Sequence, residues 1–125
     1  MISVLLVADD RDTLLELEET LNKNNVATDW SDSGSKALLM IANKKFDLVI
    51  TDEKLSDMTG RTLVEKIISI NAMMNCIAIS SLSPDDFHEE FEGLGVLMQL
   101  PRNPDRENAE KLIEYLKKVL NLTEK

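Results

Sequence analysis

The chain has 125 residues, 14 basic against 23 acidic, a formal net charge of −9, 43% apolar residues and one cysteine. By length it is one domain, spanning residues 1–125, that buries roughly two-thirds of the surface its unfolded chain exposes and needs no disulfide or structural metal. The deficit of positive charge argues against direct nucleic-acid binding and against an anionic membrane surface. Every apolar segment falls short of a spanning helix, and no basic region precedes the short apolar run at the N-terminus, so the expectation is a cytoplasmic chain without a signal peptide. Cys76 is then a buried, inert thiol.

Residues 2–8 are an almost unbroken apolar run that stops on Asp9 and Asp10, with Asp12 beyond, which predicts a strand buried on both faces. A helix follows, with Leu14, Leu17 and Leu21 on one stripe and Glu16, Glu18, Glu19 and Lys23 outside it, ending near Asn24 and Asn25. Residues 26–30 are a short strand. Ser31 or Ser33 caps the next helix, whose inner face holds Ala37, Leu38 and Ile41. The Ser31–Lys36 loop is faintly like a phosphate-binding loop, but it lacks the Gly-x-x-x-x-Gly-Lys spacing and reads as a cap.

Residues 46–51 form the third strand, in which Leu48, Val49, Ile50 and Thr51 run directly into Asp52. A loop through Gly60 leads to a helix over 61–71 with Leu63, Val64, Ile67 and Ile68 inward. Residues 76–79 are the fourth strand, ending on Ser80 and Ser81. Ser83 and Pro84 open a short helix carrying Phe87 and Phe91 one turn apart; its His88, with no second histidine, has no metal or catalytic role. Residues 95–100 are the last strand, and Asn103-Pro104 starts a final helix that buries Ala109, Leu112, Ile113, Leu116 and Leu120. Five strands alternating with five helices imply right-handed crossovers and a parallel sheet covered on both faces.

Ligands of open α/β sheets bind at the carboxyl ends of the strands, which makes Asp52 the first candidate for chemistry. If the first and third strands are neighbours, Asp9, Asp10 and Asp52 converge, and three carboxylates held together cannot all stay ionised without a cation. Mg²⁺, which takes oxygen ligands and keeps several waters, answers that need. The simpler reading of Asp9, Asp10 and Asp12 is that they cap the first helix and complement its dipole.

Asp9-Asp10 after the first strand, Asp52 through Gly60 after the third, Ser80-Ser81 after the fourth and Leu100-Pro101 after the fifth together resemble the receiver domain of two-component response regulators, over the whole chain. The resemblance implies an α/β, flavodoxin-like doubly wound (βα)5 fold, with a five-stranded parallel sheet in the order 2-1-3-4-5. It makes Asp52 the phosphoacceptor for a sensor histidine kinase or phosphotransfer protein. It assigns Mg²⁺ to Asp9, Asp10 (the likelier direct ligand), Asp52 and the backbone carbonyl of Lys54. Ser80 becomes the hydroxyl that contacts the phosphoryl group and reports it to a downstream protein or effector domain. The fourth helix, fifth strand and last helix are then the surface for a partner or a homodimer, and the domain is a stoichiometric phosphoacceptor, not an enzyme.

Two positions depart from the pattern: Leu100 stands where receivers carry Lys, and Leu97 where an aromatic residue usually rotates with the hydroxyl. Leu55-Ser56 replaces the frequent Met-Pro, a smaller change. Arg102 and Lys54 are candidate replacement cations, although the expectation for both is a solvated surface charge, given how little exposed charges contribute. The departures keep a second reading open, a pseudo-receiver that binds or scaffolds without regulated phosphorylation. A phosphatase using Asp52 ranks last, because such sites read Asp-x-Asp and position 54 is Lys.

Overall fold

β1 (Ile2–Val7) is an interior strand of the sheet in the computed structural model, which describes residues 2–119. Val4, Leu5, Leu6 and Val7 are fully buried, as a strand covered on both faces requires. Strand alternation divides them: Val4 and Leu6 enter one apolar layer, Leu5 and Val7 the other. β3 (Leu48–Asp52) is divided in the same way, with Leu48 and Ile50 in the first layer and Val49 in the second.

β2 (Val26–Ser31), β4 (Asn75–Ile79) and β5 (Gln99–Leu100) complete one parallel sheet in the order β2-β1-β3-β4-β5. This is the flavodoxin-like arrangement that the resemblance implies. Its register sets Val7 beside Thr51 and Asp52 beside Ile79, so β1, β3 and β4 end together at one rim.

On one face lie α1 (Leu15–Lys23), entered through a 3-10 turn at Arg11–Leu14, and α5 (Arg106–Val119). They bury Leu14, Leu17 and Leu21 against Ala109, Leu112, Ile113 and Leu116, as the helical spacing predicts; Leu120 lies outside the described residues. On the other face are α2 (Gly34–Asn43), α3 (Gly60–Ile70) and α4 (Pro84–Glu90). α3 buries Leu63, Val64 and Ile67 completely, whereas on the expected inner face of α2 Ala37 is fully buried and Leu38 and Ile41 are partly covered.

Two boundaries differ from expectation. The last strand is regular only at Gln99–Leu100, because Gly93 (φ +82°) and Gly95 (φ +69°) turn the chain in left-handed conformations just before it. The intervening stretch still follows β4, with Leu97 N donating to Cys76 O at 2.9 Å. The last helix begins at Arg106, past Pro104, because Asp105 and Asn108 cap it reciprocally: Asn108 N donates to Asp105 Oδ1 at 2.8 Å and Asp105 N to Asn108 Oδ1 at 3.0 Å.

Candidate functional site

Asp52 is delivered to the rim by the buried run of β3 and held there by the start of α3. Gly60 packs so closely that a Cβ would sit 2.3 Å from the Asp52 carbonyl oxygen and 3.1 Å from Glu53 Cα. Its N–H donates to Glu53 O at 2.9 Å, tying the helix start to the strand end. The Asp52 side chain is only 13% exposed. Burial pushes its carboxyl above the usual carboxylate range, and the positive charge of Arg102 offsets part of that.

Around Asp52 the side chains form a compact polar network. Arg102 Nη1 lies 3.2 Å from Asp52 Oδ1 and 3.3 Å from Glu53 Oε2, one cation between two adjacent carboxylates. Glu53 turns toward β4, where the Ser80 hydroxyl donates to its Oε1 at 2.7 Å and the Ser81 hydroxyl to its Oε2 at 3.4 Å. Burial alone would raise the Glu53 carboxyl, but the serine hydrogen bonds and Arg102 outweigh it and hold the group below its ordinary value. Ser80 is itself fixed: its N–H donates to Leu100 O at 2.9 Å, and its hydroxyl oxygen accepts from Leu82 N at 3.0 Å.

The acidic pair arrives at the same rim but turns elsewhere. Asp10 accepts from Asp12 N at 3.0 Å and caps the 3-10 turn, while Asp9 accepts from Ser56 N at 2.9 Å. Among the described residues no three His, Cys, Asp or Glu side chains are grouped closely enough to hold a metal ion. The expected convergence of three carboxylates is thus reached by strand placement only. Capping takes Asp10, the loop takes Asp9, and Arg102 supplies the counter-charge at Asp52. The donor chemistry, three carboxylates plus the Lys54 carbonyl, is all oxygen and suits a hard divalent cation.

The β3–α3 loop that carries this carbonyl is pinned at several points. Lys54 bridges to Thr59, and Leu55 N donates to Met58 O at 3.0 Å. Asp57 caps α2, accepting from Gly34 N and Ser35 N at 2.9 Å each, and these bonds hold its carboxyl down to about 2.

A family model of the response regulator receiver domain matches residues 4–117. The chain belongs to this receiver family. It is 25% identical over 119 residues to the sporulation initiation phosphotransferase F of Bacillus subtilis (strain 168), covering 95% of this chain and 94% of that protein. It is 29% identical over 98 residues to a response regulator receiver protein of Anaeromyxobacter sp. (strain Fw109-5), matching 78% of this chain but only 41% of that longer protein. A two-component response regulator of Clostridium difficile shares the fold over 100% of both chains, with a TM-score of 0.83 at 22% identity.

Within this receiver, the two departures have clear structural settings. Leu100 is 2% exposed and belongs to the apolar layer that also holds Ile79, and Leu97 packs partly buried against the same layer. Arg102 is exposed, as expected of a surface charge, and it also pairs with Asp52 and Glu53. Lys54 is exposed, and among the described residues its ammonium makes no ion pair. The role of Glu53 was not foreseen. The available signal was an acid directly beside a strand-end acid, which calls for a cation once both are partly desolvated.

Proposed function

We propose that this receiver takes a phosphoryl group on Asp52 and passes the change in charge to a protein partner. The observation that carries the reading is the Arg102–Asp52 contact of 3.2 Å: a partly buried carboxylate at a strand end, with a cation already beside the oxygen that would attack phosphorus. An Asp52 oxygen forms the new bond to phosphorus while the donor's bond to phosphorus breaks, and the leaving group departs with its electron pair. Arg102 steadies charge on the attacking Asp52 oxygen and on the phosphoryl oxygens that gather beside it. Mg²⁺ would screen the negative charge gathered there; for Asp9, Asp10, Asp52 and the Lys54 carbonyl to hold it, Asp10 would have to leave Asp12 N and Asp9 leave Ser56 N and turn toward Asp52.

The donor is a sensor histidine kinase or a phosphotransfer protein, a class consistent with the phosphotransferase name of the Bacillus relative. Each protein molecule takes one phosphoryl group and is not a turnover enzyme. The output is a downstream protein or effector domain, met at the face of α4, β5 and α5 that a homodimer would share. Among the described residues no helix is long and apolar enough to cross a membrane, and the reading places the chain in the cytoplasm as a single receiver domain over 1–125. Leu100, buried where the family carries Lys, favours a second reading: a pseudo-receiver that binds without being phosphorylated.

One experiment separates the two. Incubation with acetyl phosphate and Mg²⁺ is expected to add the mass of one phosphoryl group, which hydroxylamine removes and Asp52→Ala abolishes. No adduct on the wild-type protein selects the pseudo-receiver.

A further inference from the structure

Resting on Asp52 as the phosphoacceptor, we propose that Glu53 is a resident anion that competes with the incoming phosphoryl group for the Ser80 hydroxyl and for Arg102. A serine hydroxyl has one hydrogen to donate, and that of Ser80 is committed to Glu53 Oε1 at 2.7 Å. Ser80 is 2% exposed, so no second orientation toward water competes for that hydrogen. Arg102 has several donors but one charge, which its Nη1 divides between Asp52 Oδ1 at 3.2 Å and Glu53 Oε2 at 3.3 Å.

A phosphoryl group on Asp52 brings a second anion to the same donors. Ser80 then serves Glu53 or the phosphoryl group, not both. Glu53 must release its hydroxyl before Ser80 turns, and until it does its carboxylate repels the arriving oxygens. Glu53 also ties down the start of the β4–α4 loop through the Ser81 hydroxyl at 3.4 Å, so the loop is freed only by the same release. Glu53 is therefore a positioning residue: it sets how readily Asp52 is phosphorylated and which contacts the loop must give up before it moves.

The test compares the rates of Asp52 adduct formation, with acetyl phosphate and Mg²⁺, for wild type, Glu53→Gln, Ser80→Ala and the double variant. Glu53→Gln keeps the shape and removes the charge, and is expected to speed adduct formation by about tenfold, the weight of one charge-assisted hydrogen bond. A structural lesion would slow the reaction instead. The gain is expected to shrink in the Ser80→Ala background, where the contested hydroxyl is gone. Should Glu53→Gln lose its fold, Glu53→Asp serves: it keeps the charge, shortens the reach to Ser80 and is expected to speed the reaction less.

Equal rates in wild type and the folded Glu53 variants, with an adduct that still depends on Asp52, overturn this proposal and leave the phosphoacceptor reading standing. An undiminished gain in the Ser80→Ala background reduces Glu53 to a charge effect and overturns the competition. Absence of adduct from wild type and every Glu53 variant overturns both readings.

Discussion

Replacing Arg102 with Ala removes the cation found beside Asp52. Its Nη1 stands 3.2 Å from Asp52 Oδ1, at which distance the bare Coulomb attraction is about 5 kcal/mol at an effective dielectric of ~20. The Arg102 side chain is 45% exposed, so water screens most of that, and exposed pairs retain about 0–1 kcal/mol. Asp52, however, is 13% exposed, and a charge-assisted hydrogen bond to such a partner is worth about 1.5–3 kcal/mol. The buried partner decides, because its carboxylate and the phosphoryl oxygens carry the charge in the transition state. Adduct formation from acetyl phosphate, followed by mass over time, is expected to slow about ten- to a hundredfold in Arg102→Ala, with partial recovery in Arg102→Lys. A variant that keeps its thermal melt and reacts at the wild-type rate would show that Arg102 is only a surface charge.

Gly60→Ala inserts a Cβ 2.3 Å from a backbone oxygen, and the strain of about 1–3 kcal/mol outweighs the gain of at most about 1 kcal/mol in helix propensity. Urea unfolding is expected to show a less stable protein, and equal or higher stability would exclude the close approach. The Asp57 carboxyl is held down to about 2, below its unfolded value, so its contribution is full above the ordinary carboxylate range and is lost as pH falls from about 4 through about 2. Asp57→Asn is expected to flatten the acid limb of the stability curve in that window; an unchanged slope sinks the assignment. Burial pushes the Cys76 thiol up to about 12, so a thiol reagent at pH 8 is expected to label unfolded but not native protein. Rapid native labelling would contradict the buried position of β4.

What could be foreseen from the residues divides along a physical line. Strand ends were visible because apolar runs stop abruptly on Asp9, Asp52 and Ser80, and the pairing of β1 with β3 and β3 with β4 then follows from the fold. The residues at 95–98 also read as strand, but Gly95 at φ +69° bends the backbone where side-chain patterning carries no information. Asn103-Pro104 imitated a helix start, while the reciprocal pair Asp105 and Asn108, three residues apart, was the truer mark. Side-chain direction was the part no pattern encoded. Asp10 faces its own turn and Arg102 crosses fifty positions to Asp52, outcomes of local competition for hydrogen bonds rather than of periodicity.

The cation beside Asp52 comes from a loop and not from the neighbouring strand, and that decides how tightly it is held. Position 100 is locked by β4, its carbonyl accepting from Ser80 N at 2.9 Å, and a Leu fully buried there contributes about 1.5–3 kcal/mol to the core. Arg102 lies beyond Pro101, outside the sheet, and is steadied mainly by the carboxylates it contacts. Its position therefore depends on Glu53 as well as on Asp52, so the carboxylate that competes for the phosphoryl-binding groups also keeps the cation close by. Loss of Glu53 frees the hydroxyl but loosens the guanidinium. The two effects oppose each other. The hydroxyl wins, because Asp52 alone still holds Arg102 while Ser80 has only one hydrogen to give.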